Sequence, residues 1–185
     1  MKYLMLIRHA KSNWDSPGLS DHDRPLNERG QRSAPLVGRF LSKTYLGVDS
    51  APAILPPLEQ VISSTAVRAY TTAQLLCAAM NFPQDQIILK EHLYLAEPRT
   101  ILQTVQQLDP ALHHVMMVGH NPGISEFANR ILQRGDVGDM PTCAAALIEF
   151  PADSWGAANW NEARLVGFVT PRLIEKRFLG EAMEV

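Results

Sequence analysis

Three short stretches of the chain carry side chains suited to phosphoryl chemistry: "LIRHAKS" at residues 6–12, "ISSTAVRAYTTA" at 62–73 and "MMVGHNPGIS" at 116–125. Together they supply Arg8, His9, Ser64, Arg68 and His120. Guanidinium groups bind phosphoryl oxygens through paired N–H bonds and compensate the charge that builds up in the transition state. An imidazole can attack phosphorus, provided that it is neutral. The reference pKa of a histidine is about 6.5, and two neighbouring guanidinium charges push it down, so His9 is expected to be unprotonated at neutral pH. Lys11 and Ser12 follow directly; they either line the same anion pocket or open a polar loop. Ser64 stands four residues before Arg68, about one helical turn, and either faces the same ligand or caps a helix.

These residues need a scaffold that brings three distant segments together. Strand-like runs recur at "YLMLI", "QVISS", "QIILK", "HVMMVG", "AAALIEF" and "RLVGFVT", with helical patterning between several of them. That alternation predicts an α/β fold with a largely parallel sheet. In such sheets ligands bind beyond the carboxyl ends of the strands, which is where all three chemical stretches lie. Helices are predicted over 28–43, 66–80, 99–108 and 122–133. Asn27 is the expected N-cap of the first, and Pro35 should kink it or delay its start. In the second, Ala66, Ala69, Ala73, Leu76 and Met80 recur at helical spacing, and Asn81 stops it. Asn121 and Pro122 suggest a capped helix start beside His120, an end that attracts anions. Residues 16–25 and 45–57 read as loops, and residues 171–185 as a docked amphipathic helix with a frayed tail.

Composition narrows the classes. The 185 residues, 46% of them hydrophobic, suit a single domain over 1–185. A formal net charge of −2 gives no bulk attraction for nucleic acid or anionic lipid, so anion binding must come from a local cluster. Cys77 and Cys143 sit in apolar surroundings without partners at metal-ligand spacing and read as buried thiols. No metal site is expected: His22, His92, His113 and His114 also lack such partners and read as structural or surface residues. Trp14, Trp155 and Trp160 read as packing or rim residues. The apolar run before Arg8 is too short for a signal peptide, and no stretch is long enough to span a membrane, which predicts a cytoplasmic protein.

Taken in order, "LIRHAKS", "SSTAVRAYTTA" and "VGHNPGI" resemble the motifs of the histidine phosphatase, or phosphoglycerate mutase-like, superfamily. The "RHAKS" form of the first motif and the "DHDRPLNERG" after it resemble the SixA-type phosphohistidine phosphatase branch. The resemblance implies a three-layer sandwich, a mostly parallel central sheet with helices on both faces, and catalysis without cofactor or metal. It implies His9 as the nucleophile, with Arg8, Arg68 and His120 completing the phosphate pocket. It also implies a phosphorylated partner, either a protein phosphohistidine or a small phosphorylated molecule.

The chain departs from the mutase branch at Ala10 and Asp15, where that branch has Gly and Asn, and it has no evident insertion to hold a phosphorylated acceptor. No general acid is obvious. Asp15, Asp21, Asp23, Glu91 and Glu97 are candidates, with Asp21 first because "DHDRPL" should fold over the exit of the first strand. Asp23 could instead hold Arg24, itself either a substrate-side cation or part of a loop-fixing ion pair. An alkoxide leaving group needs a proton donor, whereas a protonated phosphohistidine expels imidazole, whose conjugate acid has a pKa of about 6.5. A missing acid therefore agrees with a phosphohistidine substrate. The alternatives are a phosphatase for small phosphate monoesters such as sugar phosphates or nucleotides, and an inert phosphoprotein-binding module. The latter predicts loss of a pocket residue, and none is lost.

Overall fold

Along the first strand, Leu4 and Leu6 pack into one buried cluster while Met5 and Ile7 pack into another. A strand points successive side chains to opposite faces, so a run that is apolar at every position must be covered on both. The computed structural model shows how. It describes residues 1–48 and 52–183, residues 179–183 by backbone alone. Six strands, β1 (Lys2–Arg8), β2 (Gln60–Ser64), β3 (Ile87–Lys90), β4 (His114–Gly119), β5 (Ala145–Phe150) and β6 (Arg164–Val169), form one sheet in the order β3-β2-β4-β1-β5-β6. β3, β2, β4 and β1 pair in parallel, and β5 runs antiparallel to both β1 and β6. The helices are α1 (Glu28–Tyr45), α2 (Val67–Ala79), α3 (Pro98–Gln106), α4 (Gly123–Ile131) and α5 (Pro171–Met183). Side chains of α1, α2 and α5 pack with Met5 and Ile7, and those of α3 and α4 with Leu4 and Leu6. This is the expected three-layer arrangement with a mostly parallel sheet.

The strand order explains why distant motifs meet. β2, β4 and β1 are adjacent and parallel, so Ser64, His120 and the Arg8–His9 pair leave the sheet at one edge. From that edge β1 and β2 lead to helices on one face, whereas β4 leads to α4 on the other. Loops that diverge in opposite directions open a crevice between neighbouring strands, here β1 and β4.

One helix keeps its expected start despite an internal proline, and one does not. α1 begins on schedule at Glu28, with Asn27 Oδ1 accepting from the Gly30 N–H, and runs through Pro35 without delay. The buried stripe of Ala34, Val37, Gly38 and Leu41 fixes this helix on the sheet and outweighs the one backbone bond that a proline removes. α4 begins at Gly123, and Pro122 rather than Asn121 occupies its cap position. The Asn121 side chain caps no backbone N–H; it donates to Asp139 Oδ1 and Met140 O, and its Oδ1 accepts from the Ser125 hydroxyl in the first turn of α4. Glycine is required there by close approach: a Cβ at Gly123 would lie 1.8 Å from the carbonyl oxygen of Ala96. At α1 a Cβ on Gly30 would likewise lie 2.2 Å from Lys11 O, the oxygen that accepts the Asn27 N–H.

α2 starts at Val67 and ends before Asn81, whose φ of 56° leaves the helical region. Cys77 and Cys143 are buried free thiols, and burial pushes both up to about 12. Ile174 anchors α5 in the core while Leu173 and Phe178 face solvent. Residues 16–25 form a loop without regular structure. Of the loop expected over 45–57, residues 49–51 lie outside the described residues, as do the tail residues 184 and 185. Among the described residues no helix is long and apolar enough to cross a membrane.

Candidate active site

His9 is the first residue beyond β1, and the backbone around it is pinned from three sides. Its N–H donates to Gly119 O at the end of β4, its carbonyl accepts from Cys143 N, and the next amide, Ala10 N, donates to Thr72 Oγ1 on α2. The imidazole Nδ1 lies 2.7 Å from Ala10 O. A carbonyl oxygen only accepts, so Nδ1 must carry the proton and Nε2 is left with its lone pair. That Nε2 receives an N–H from Arg68 Nε at 3.3 Å. Burial is the main force that lowers His9, to about 4, with Arg68, Arg8 and Arg24 adding to it against the raising effect of the Ala10 carbonyl. Charge repulsion alone, the expected cause, is thus the smaller part. His9 is 8% exposed and neutral at neutral pH.

Arg68 occupies the first turn of α2, almost fully buried. Its Nη1 donates to Asp21 O at 2.6 Å and its Nη2 to Asp21 Oδ2 at 3.0 Å. Arg8 ends β1; its Nη1 donates to Met140 O at 2.7 Å, and its buried Nε has no partner. The His120 ring lies 5.1 Å from that of His9, with Nε2 2.7 Å from Ser64 Oγ and a buried Nδ1 that has no partner. Burial lowers His120 to about 3, helped by His9 and Arg68. Two polar groups without partners, Arg8 Nε and His120 Nδ1, thus belong to side chains that neighbour the neutral His9 imidazole. The Arg8 Nε–H is a donor in any state, and a ligand oxygen at this edge would satisfy it.

Asp21, the first candidate for the acid, stands beside Arg68 and Arg24 as a carboxylate. Its carboxylate accepts from Tyr94 Oη at 2.5 Å, from Arg24 Nε at 3.0 Å and from Arg68 Nη2. The Tyr94 hydroxyl is the largest cause that holds it at about 2, well below the range of a proton donor at neutral pH. Its place in the site is that of an anion orienting two arginines. Arg24 is the loop-fixing cation of the two expected alternatives, and its acidic partner is Asp21 rather than Asp23. Its Nη1 also donates to Ser12 Oγ at 2.7 Å and to Asn13 O at 3.3 Å, and its guanidinium stacks 3.6 Å from the Trp14 ring centroid. Asp23 pairs with Ser20 and His22. Asp15, Glu91 and Glu97 are exposed.

Ser12 is thereby turned to Arg24, and Ser64 Oγ is taken up by Ala66 N and His120. Lys11 is exposed and lines a separate groove of about 430 Å³ with Trp14, Asp15 and Glu28.

Tyr94 is the residue that sequence reasoning missed. Besides holding Asp21, its ring meets the edges of His120 at 5.5 Å and His22 at 4.9 Å. The signal was present in topology: β3 is parallel to β2, so its exit also reaches the catalytic edge. His22, read as a bystander, lies 2.9 Å from Thr65 Oγ1 and against Tyr94. Tyr94 remains a phenol, since burial and the Asp21 carboxylate both raise its pKa. Among the described residues no group of three or more His, Cys, Asp or Glu side chains is placed to hold a metal ion.

Comparison with known proteins agrees with this geometry. The sequence model of the histidine phosphatase superfamily (branch 1) matches residues 4–94, which include Arg8, His9, Ser64, Arg68 and Tyr94. An uncharacterised protein of Mycobacterium tuberculosis is 32% identical over 180 residues, covering 90% of this chain and 100% of its own length. A candidate phosphohistidine phosphatase SixA of Agrobacterium tumefaciens superposes with a TM-score of 0.70 at 27% identity, covering 92% of this chain and 98% of that one. The protein histidine phosphatase SixA complexed with tungstate shares the fold at a TM-score of 0.75 and 18% identity, covering 93% and 99%. With the motif residues gathered at one sheet edge and relatives matched nearly end to end, the chain belongs to the histidine phosphatase superfamily, branch 1.

Proposed function

We propose that this phosphatase removes the phosphoryl group from a phosphohistidine on a partner protein, by two displacements at His9 and without a metal. The observation that carries the reading is the state of His9: a neutral imidazole, proton fixed on Nδ1 by Ala10 O, with its Nε2 lone pair beside the Arg68 guanidinium. In the first step Nε2 forms a bond to phosphorus as the bond from phosphorus to the substrate imidazole breaks. In the second, water attacks the His9 adduct, the Nε2–phosphorus bond breaks, and inorganic phosphate leaves. Arg68, Arg8 and His120 surround the transferring group and supply the donors and positive charge that other phosphatases take from metal ions.

The leaving group supports the substrate class. Asp21 is a carboxylate held at about 2, so it has no proton to offer an alkoxide, whose parent hydroxyl resembles water with a pKa near ~15.7. A protonated phosphohistidine expels neutral imidazole, whose conjugate acid titrates at about 6.5 and needs no help. The 27% identity to the Agrobacterium protein adds to this.

Incubation with a phosphohistidine protein labelled on phosphorus should leave acid-labile label on His9 and release inorganic phosphate in the presence of chelator. A His9→Ala protein that keeps full turnover would overturn the mechanism. Faster hydrolysis of a sugar phosphate or nucleotide than of phosphohistidine would overturn the substrate class.

A further inference from the structure

Ser64 stands at the junction of β2 and α2, fully buried, and its hydroxyl lies between two groups. Ala66 N donates to Oγ at 3.2 Å, and His120 Nε2 lies 2.7 Å from the same oxygen. A hydroxyl has one hydrogen and two lone pairs. The Ala66 N–H takes one lone pair, so two arrangements remain.

If His120 Nε2 carried the proton and donated to Oγ, the Ser64 hydrogen would have no acceptor and the buried Nδ1 would be a lone pair with no donor. Two buried groups would then be unmet. If Ser64 donates to Nε2 instead, its hydroxyl both donates and accepts, with only a second lone pair to spare, and the one group left without any partner is the N–H on Nδ1. Native interiors leave few polar groups unmet, which favours the second arrangement. The group left over belongs to a ring 5.1 Å from the nucleophilic imidazole, where an anion's oxygen is the natural acceptor.

We propose that Ser64 is a positioning residue: by donating to His120 Nε2 it selects the Nδ1–H tautomer, so that a neutral His120 presents its single N–H to the phosphoryl group. Tautomer choice matters because His120 is not an imidazolium in the free enzyme and has only one proton to give. In the other tautomer a lone pair would face the phosphoryl oxygens. A serine on one strand thereby sets the polarity of a histidine at the end of its neighbour. This use of Ser64 rests on the phosphoryl-transfer reading, but the tautomer itself can be read without any substrate.

Long-range nitrogen–proton correlation spectra of uniformly nitrogen-15-labelled protein at pH 7 report which imidazole nitrogen bears the proton; His120→Gln assigns the resonances. The expected pattern is Nδ1–H in the unaltered protein and a mixture of tautomers in Ser64→Ala. The same variant should lose at least tenfold in kcat with KM changed less than threefold, and Ser64→Thr, which keeps the hydroxyl, should restore most of the rate. An Nε2–H pattern in the unaltered protein overturns the proposal, as does a Ser64→Ala protein with unchanged tautomer. If the tautomer shifts as expected while neither protein hydrolyses phosphohistidine, the substrate reading fails and the role of Ser64 in tautomer selection stands.

Discussion

Arg68 reaches His9 with its Nε, 3.3 Å from Nε2, while both of its terminal nitrogens are held by Asp21. A phosphoryl group arriving at the His9 lone pair must therefore meet a guanidinium whose plane is already fixed. The Arg68 N–H that occupies the Nε2 lone pair must pass to a phosphoryl oxygen as Nε2 attacks, while Asp21 keeps the guanidinium in place as oriented charge.

Lysine cannot reproduce this. Its ammonium is a point charge on a flexible stem, and it cannot hold Asp21 from two nitrogens while a third faces His9. Arg68→Lys should lower kcat/KM on the phosphorylated substrate by about 100-fold, near 3 kcal/mol of transition-state stabilisation. Steady-state kinetics on a variant of unchanged circular dichroism would show it. A loss smaller than threefold would mean that Arg68 does not touch the transferring group.

Tyr94→Phe separates orientation from proton transfer. Removing the hydroxyl takes away the largest cause that holds Asp21 at about 2, so Asp21 moves up toward the ordinary carboxylate value of about 3.9. Asp21 passes no proton to the leaving group in this reading, so the acid limb of kcat/KM remains set by protonation of His9, at about 4, in both proteins. The expected result is a KM raised severalfold through a less firmly held Arg68, with the pH profile, corrected for ionisation of the substrate, unchanged in shape. A limb that moves with the substitution would show that the Tyr94 proton takes part in the chemistry.

The parts of this site that were legible in the sequence are those that local pattern controls. Arg8, His9, Ser64 and His120 sit at the ends of apolar runs, with Arg68 in the first helical turn after one, and an apolar run that stops at a charged or polar residue marks a strand exit. The rest depends on partners far along the chain. Tyr94 meets Asp21 across 73 positions, a contact that the strand exit before "EHLY" places at the right edge but does not itself reveal. The task of Asp21 could not be read from "DHDRPL" either, because a carboxylate is an acid or an anchor according to the cations around it, and Arg68 arrives from α2. Lys11 and Ser12 looked equivalent as neighbours of His9, but the isolated bridge from Ser12 to Leu26 and the Arg24 bond turn Ser12 toward the loop.

Burying His9 and His120 as neutral rings makes stability depend on pH with a defined sign, and His114, also lowered by burial, adds to it in the same direction. His9 at about 4 and His120 at about 3 both lie below the unfolded value of about 6.5, so between these limits the unfolded chain binds more protons. Stability is therefore full above about pH 6.5 and falls as the pH drops toward the folded values. At pH 5 each site should cost about 2 kcal/mol relative to pH 7.5. Urea unfolding at the two pH values should show that loss, and His9→Gln, which removes one titrating group, should shrink it by about 2 kcal/mol. An equal loss in both proteins would mean that His9 titrates normally in the folded state.

Asp21→Asn tests the leaving-group argument most directly. If Asp21 were the proton donor, the substitution would hardly touch substrates with good leaving groups and would cripple those that expel an alkoxide, steepening the dependence of rate on leaving-group pKa. As an anion that orients Arg68 and Arg24, it acts before any bond to the leaving group breaks. Its amide keeps an oxygen that can accept from Tyr94 or one arginine but gives up the charge, so kcat/KM should fall by about tenfold or more for every substrate alike. Rates for phosphohistidine, an aryl phosphate and an alkyl phosphate, measured on both proteins, give the two slopes. Parallel lines are expected; a line that steepens in Asp21→Asn would restore Asp21 as the acid and remove the leaving-group support for a phosphohistidine substrate.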